Sequence, residues 1–140
     1  MLDISNLVSK LCTKNKTSDP FVLADALGIT VYYHDLSPLR GYYYCESRIK
    51  YIVLDYNLEY NMRRFVLSHE LGHALMHPNY NTPFLQGTLF SKNKFEVQAN
   101  TFAIKLLISD MDLMEHWEYT VDQWAAVYGL PREIIELRMR

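Results

Sequence analysis

The sequence predicts an α+β fold: one small domain, mostly helical, with a short three-stranded sheet and a central helix carrying the functional motif. Three observations support this. Apolar residues recur with helical spacing over most of the chain, while period-two segments rich in Val, Ile and Tyr are confined to residues 29–54. The 140 residues, 49% hydrophobic and 21% charged, suit a single core. No repeat, low-complexity segment or long linker divides residues 1–140.

Each element follows from local signals. Residues 3–15 and 20–27 read as short helices, with Asp19-Pro20 as a start and Gly28 as a stop. Ile29 to His34 reads as a strand. Residues 42–46 and 49–54 read as two more, joined tightly by Ser47-Arg48. A long helix is expected over 59–77, ended by Pro78. Residues 78–92 contain Pro78, Pro83 and Gly87 and read as a loop. Helices follow at 94–107, 110–117, 121–128 and 131–139. Thr120 with Gln123 forms a capping-box pattern, and Gly129-Leu130-Pro131 a helix-to-helix turn.

The long helix contains His69-Glu70-Leu71-Gly72-His73, an H-E-x-x-H motif. With His69 at zero, His73 falls at about 40° and Glu70 at about 100° around the helix. Both imidazoles can reach one tetrahedral metal ion, and the glutamate stands beside it, where it can act on a water. Met62, Val66, Met76 and His77 share the histidine side; Leu67, Leu71, Ala74 and Leu75 form the other. A helix apolar on both sides is a buried one. Polar groups on it require partners: a metal ion, or, for ordinary core histidines, backbone carbonyls.

A catalytic zinc takes a third protein ligand and keeps one position open. Glu96, in Phe95-Glu96-Val97-Gln98-Ala99-Asn100-Thr101-Phe102-Ala103, is the best candidate. Glu96, Asn100, Ala103 and Leu107 share one helical face, with Gln98, Thr101 and Lys105 opposite. Ala99 and Ala103 are small enough to allow close approach of the His69 helix. Asn100 can accept a hydrogen bond from a ligand histidine, the support that metal-bound imidazoles need. Two histidines, a carboxylate and an open position suit Zn2+, with Mn2+ the alternative.

These residues carry a family resemblance. HELGHALMH followed by E-x-x-A-N-x-F-A resembles the ImmA/IrrE family of zinc metallopeptidases. ADALGITVYYHDL, IKYIVLDYNLEYNMRRFVLSHE and VYGLPREIIELRMR are similar to other parts of that family, so the resemblance spans most of the chain. It implies a small zincin-like metallopeptidase domain, with His69, His73 and Glu96 on the metal and Glu70 as catalytic base. It implies a protein substrate, commonly a helix-turn-helix repressor of the same prophage or mobile element, whose cleavage releases silenced genes. Many members follow the second motif with L-L-M-P, whereas this chain has Leu106-Leu107-Ile108-Ser109, which bears on how the helix ends.

Other features narrow the function. A net charge of −2 gives no basic patch for nucleic acid, and no apolar run is long enough to span a membrane. Met1-Leu2-Asp3-Ile4-Ser5 has no basic leader region, so a cytoplasmic protein with Cys12 and Cys45 as free thiols is expected. The alternative function is a binding module using 121–128 and 131–139 on protein or DNA, but Glu133 and Glu136 offset Arg132, Arg138 and Arg140. A purely structural metal is disfavoured because it has no use for Glu70. His77 reads as a helix C-terminal cap favoured by the dipole, and it or Tyr42, Tyr43 or Tyr44 could serve as an oxyanion donor. His34 and His116 are weaker candidates for a site role. The 42–54 hairpin could offer an edge strand to an extended peptide, or be an ordinary sheet with a tyrosine-rich face. The 78–92 segment reads as a lid or a connector.

Overall fold

The computed structural model describes residues 2–140. Its elements run α1 (Ile4–Asn15), α2 (Pro20–Ala26), β1 (Thr30–His34), β2 (Gly41–Glu46), β3 (Ile49–Asp55), α3 (Tyr60–Met76), a 3-10 turn (Gln86–Phe90), α4 (Lys94–Leu107), α5 (Asp110–Glu115), α6 (Val121–Tyr128) and α7 (Arg132–Met139). The expected α+β class holds, and the expected elements lie within two residues of these bounds.

Local chemistry sets the boundaries. Asp3 and Asp19 cap α1 and α2 by accepting from the amides of Asn6 and Phe21. Thr120 and Gln123 close the expected capping box at α6, and Gly129 ends that helix in the left-handed conformation. At the end of α4, Ser109 begins the next helix: its Oγ accepts from Asp112 N–H, and Asp112 Oδ2 accepts from Ser109 N–H. That box ends α4 without a proline.

The sheet is mixed, in order β1-β3-β2. β3 pairs in parallel with β1, Thr30 opposite Tyr51, and antiparallel with β2, Gly41 opposite Leu54. Ser47 and Arg48 both have positive φ, the tight-hairpin geometry that matches strand twist. β3 is central, and Ile52, Val53 and Leu54 are buried.

α3 runs through the core. Every residue from Phe65 to Ala74 is buried, as its two apolar sides predict. The hairpin docks on its C-terminal end. Lys50 Nζ donates to Ala74 O at 2.8 Å, a cation at the negative end of the helix, and Tyr43 Oη donates to Pro78 O at 2.9 Å. α4 packs on α3, and Ala99 and Ala103 are fully buried. The tightest approach is at Gly72, where a Cβ would stand 3.1–3.2 Å from Phe102.

The 78–92 segment is more structured than the expected loop. Phe84 forms an antiparallel bridge to Gly41, donating to Gly41 O at 2.7 Å. Thr88 Oγ1 accepts from Leu85 N–H, starting the 3-10 turn. The Pro and Gly content masked these contacts, because they arise from pairing with distant β2 and have no local period.

Candidate metal centre

α3 supplies His69, Glu70 and His73; α4 supplies Glu96 and Asn100. Their exposures are 0, 1, 1, 4 and 1%, so five polar side chains share a dry interior. His69 Nε2 and His73 Nε2 lie 3.1 Å apart, and Glu96 Oε1 lies 2.9 and 3.1 Å from them. Potential ligand atoms of His69, Glu70 and His73 also lie within 4.8 Å of one another. The four residues singled out from the motifs thus converge.

Asn100 fixes the tautomer of His69. Its Nδ2 donates to Leu89 O at 3.5 Å, which leaves Oδ1 facing His69 Nδ1 at 2.7 Å. His69 therefore carries its proton on Nδ1 and presents a lone pair from Nε2. Burial lowers the His69 pKa against the hydrogen bond to Glu96, which opposes a second proton.

The polar atoms of the site are not all satisfied within the protein. Both oxygens of Glu70 and Oε2 of Glu96 are buried without a hydrogen-bond partner. Burial, and then the charge of Glu96, push the Glu70 pKa well above its usual range. Burial would also raise Glu96, but hydrogen bonds and charge at His69 and His73 outweigh it and hold its carboxyl low. With the His69 proton committed to Asn100, the Nε2 lone pair faces Glu96 Oε1 at 2.9 Å, a contact between two electron-pair donors. A cation between them would relieve that contact and offset the Glu96 charge. The donor set and its orphaned oxygens are compatible with a metal ion.

His77 departs from the expected role. It stands at the C-cap position of α3, its backbone N–H donating to His73 O at 2.7 Å. Its ring turns inward, with Nδ1 at 3.0 Å from His73 Nδ1 and Nε2 at 2.6 Å from Gln98 Oε1. Burial lowers its pKa, the reverse of a dipole-stabilised imidazolium. Gln98, opposite Glu96 by helical period, reaches the site because His77 lies beyond the last turn of α3. Of the tyrosines considered, Tyr43 has its hydroxyl committed to Pro78 O, and Tyr44 is exposed and stacked on Tyr51. His34 is exposed on β1, and His116 stacks on Tyr119.

Sequence reasoning missed two aromatic neighbours. Phe84 is fully buried, its ring edge-on to His69 at 4.7 Å. The Tyr80 ring lies 5.0 Å from that of His73. Burial chiefly raises the Tyr80 pKa, with Glu96 adding to the shift and Thr82 opposing it. Nothing in the spacing of either residue announces these contacts.

The C-terminal helices pair Arg132 at the surface and Arg138 in the interior. Arg132 pairs with Asp122 at 2.6 Å and Glu136 at 2.9 Å. Arg138 is buried, bonded to Ile108 O and Asp110. Among the described residues, no helix is long and apolar enough to cross a membrane.

Among known proteins, residues 24–140 match the family described as IrrE N-terminal-like domain, Peptidase_M78. The chain is 44% identical over 139 residues to uncharacterized immunity region protein 2 of Bacillus phage phi105, covering 96% of this chain and 88% of that one. It is 25% identical over 141 residues to metallopeptidase ImmA of Bacillus subtilis strain 168, covering 97% of this chain and 83% of that one.

Proposed function

Because the chain belongs to the IrrE N-terminal-like family of peptidases, we propose that it is a zinc-dependent endopeptidase that cuts a helix-turn-helix repressor. The observation that carries the catalytic part is the convergence of His69 Nε2, His73 Nε2 and Glu96 Oε1 within 3.1 Å, beside a Glu70 carboxylate with no partner. The target is the one that the family resemblance of the motifs implies, and the similarity to a phage immunity-region protein is in keeping with a regulatory target.

His69, His73 and Glu96 hold the ion in this reading. Glu96 is preferred to Glu70 as third ligand because its Oε1 lies against both Nε2 atoms. When bound, the ion supplies Lewis acidity, acidifying a water and polarising the scissile carbonyl. Glu70 takes the proton from the attacking water and delivers it to the departing amine. Its two free oxygens allow both transfers, and its dry surroundings strengthen its interaction with the proton. Asn100 holds His69 in the ligating tautomer.

β2 lies at the sheet edge, and Phe84 pairs with it only at Gly41. An extended peptide adds to the rest of that edge through main-chain hydrogen bonds. Phe84 and Tyr80 lie over the histidines, so substrate entry moves residues 80–85 aside. Arg132 is paired at the surface with Asp122 and Glu136, and Arg138 is buried against Ile108 O, so these helices offer no excess of positive charge for the DNA-binding alternative.

The test is a mass-spectrometric cleavage assay of zinc-loaded protein with the helix-turn-helix repressor encoded nearest to it, alongside Glu70→Gln. A single cut made only by the unmutated protein supports the proposal. No cut by either, with zinc bound, removes the repressor as substrate.

A further inference from the structure

The two histidines of the motif are not supported alike. His69 donates directly to the amide oxygen of Asn100, whereas the Nδ1 of His73 meets another imidazole, His77, which in turn meets Gln98. Two unprotonated nitrogens 3.0 Å apart repel, and two protonated ones repel more strongly, so one of the His73–His77 pair donates and the other accepts. Gln98 sets the direction. With Gln98 Oε1 2.6 Å from His77 Nε2, that nitrogen carries the proton, and His77 Nδ1 is left as acceptor. His73 must then hold its proton on Nδ1 and expose a lone pair from Nε2, the atom facing Glu96 and His69.

We propose that His77 is a positioning residue which, with Gln98, locks His73 in the metal-ligating tautomer. The inference rests on the reading of His73 as a ligand and deepens it. Both ligand imidazoles then end on an amide oxygen of α4: His69 directly on Asn100, and His73 through His77 on Gln98. A proton donated along this chain also makes His73 Nε2 a better electron-pair donor. His77 itself is not a fourth ligand, because it touches His73 on the nitrogen that faces away from Glu96. His77 is only 8% exposed, so water competes poorly for either hydrogen bond. Its place just past α3 lets the ring fold back against the last turn of the motif helix.

The experiment measures Zn2+ affinity of the full chain by chelator competition, together with the histidine tautomers of the zinc-loaded protein by long-range 1H–15N NMR. His77→Leu fills the volume and removes the acceptor; it is expected to weaken zinc binding about 10–100-fold. His77→Asn loses volume but keeps an oxygen where Nδ1 stood, and is expected to stay within about threefold of the unmutated protein. A packing role gives the opposite order, and that order overturns the proposal. The NMR spectrum of the unmutated protein is expected to show His77 protonated on Nε2 and bare on Nδ1. His77 protonated on Nδ1 overturns the proposal even if His77→Leu does not fold. Failure of the unmutated chain to bind Zn2+ overturns the metal reading and this inference together. Normal binding by both variants overturns this inference alone.

Discussion

Gly72 of α3 lies against Phe102 of α4 so closely that a Cβ on Gly72 would stand 3.1 Å from the ring and 3.2 Å from the Phe102 Cβ. The contact lies between His69 and His73 on one helix and between Glu96 and Leu107 on the other. It sets the spacing of the two helices where their side chains converge.

Gly72→Ala therefore tests whether helix separation governs the site. Alanine gains about 1 kcal/mol of helix propensity, but overpacking against a fully buried Phe102 costs about 1–3 kcal/mol. The expected result is a net loss of up to about 2 kcal/mol in denaturant unfolding, with weaker zinc binding. A more stable variant with unchanged affinity would show that Phe102 yields freely.

Glu70→Gln separates chemistry from binding. Zinc content is expected to stay at the unmutated level, while turnover falls about 10²–10⁴-fold. Loss of the metal in this variant would make Glu70 a ligand and return Glu96 to a helix-terminal acid.

Glu96→Ala and Asn100→Ala grade the two α4 residues by metal titration. Asn100→Ala leaves His69 free to change tautomer and is expected to cost about 10–100-fold in affinity. Glu96→Ala removes a donor outright and is expected to cost more than that range. Equal affinities for Glu96→Ala and the unmutated chain would place the third ligand elsewhere.

The metal-free protein has a pH dependence of definite sign. Burial and the charge of Glu96 raise the folded-state pKa of Glu70 well above its ordinary 4.5. The folded state thus binds the proton more tightly than the unfolded one. Stability from this group is full below pH 4.5 and falls as pH rises toward the folded pKa, by up to about 1.4 kcal/mol per pH unit. Glu70→Gln is expected to remove that slope in urea melts of the metal-free chain. An unchanged slope would assign it to other groups.

Phe84 tests access. It is fully buried, so Phe84→Ala is expected to cost about 3–5 kcal/mol. In variant protein that remains folded by circular dichroism, chelators are expected to strip zinc several times faster. An unchanged stripping rate would show that the ion leaves by another route.

The helical skeleton was legible because its signals are local. Asp19-Pro20, Thr120 with Gln123 and Pro78 each act within a turn of their own position. Helical period placed His69 and His73 on one face of α3 with Glu70 beside them, and Glu96 with Asn100 on one face of α4; the meeting of those two faces within 2.9–3.1 Å is tertiary packing. The remainder depends on pairing between distant segments. Phe84 reaches Gly41 across 43 residues, and Gln98 meets His77 because the ring folds back past the end of α3. A helical wheel, which stops where the helix stops, places Gln98 on the wrong side.

The Phe84–Gly41 bridge is made of backbone hydrogen bonds: Phe84 N–H donates to Gly41 O and Arg40 N–H donates to Phe84 O, each at 2.7 Å. The cover over the histidines is thus tied down by main chain, and a substitution at Phe84 can remove the ring without removing either bond. Anchoring the segment and shaping the wall of the site are separable, the first resting on the backbone of residue 84 and the second on its side chain.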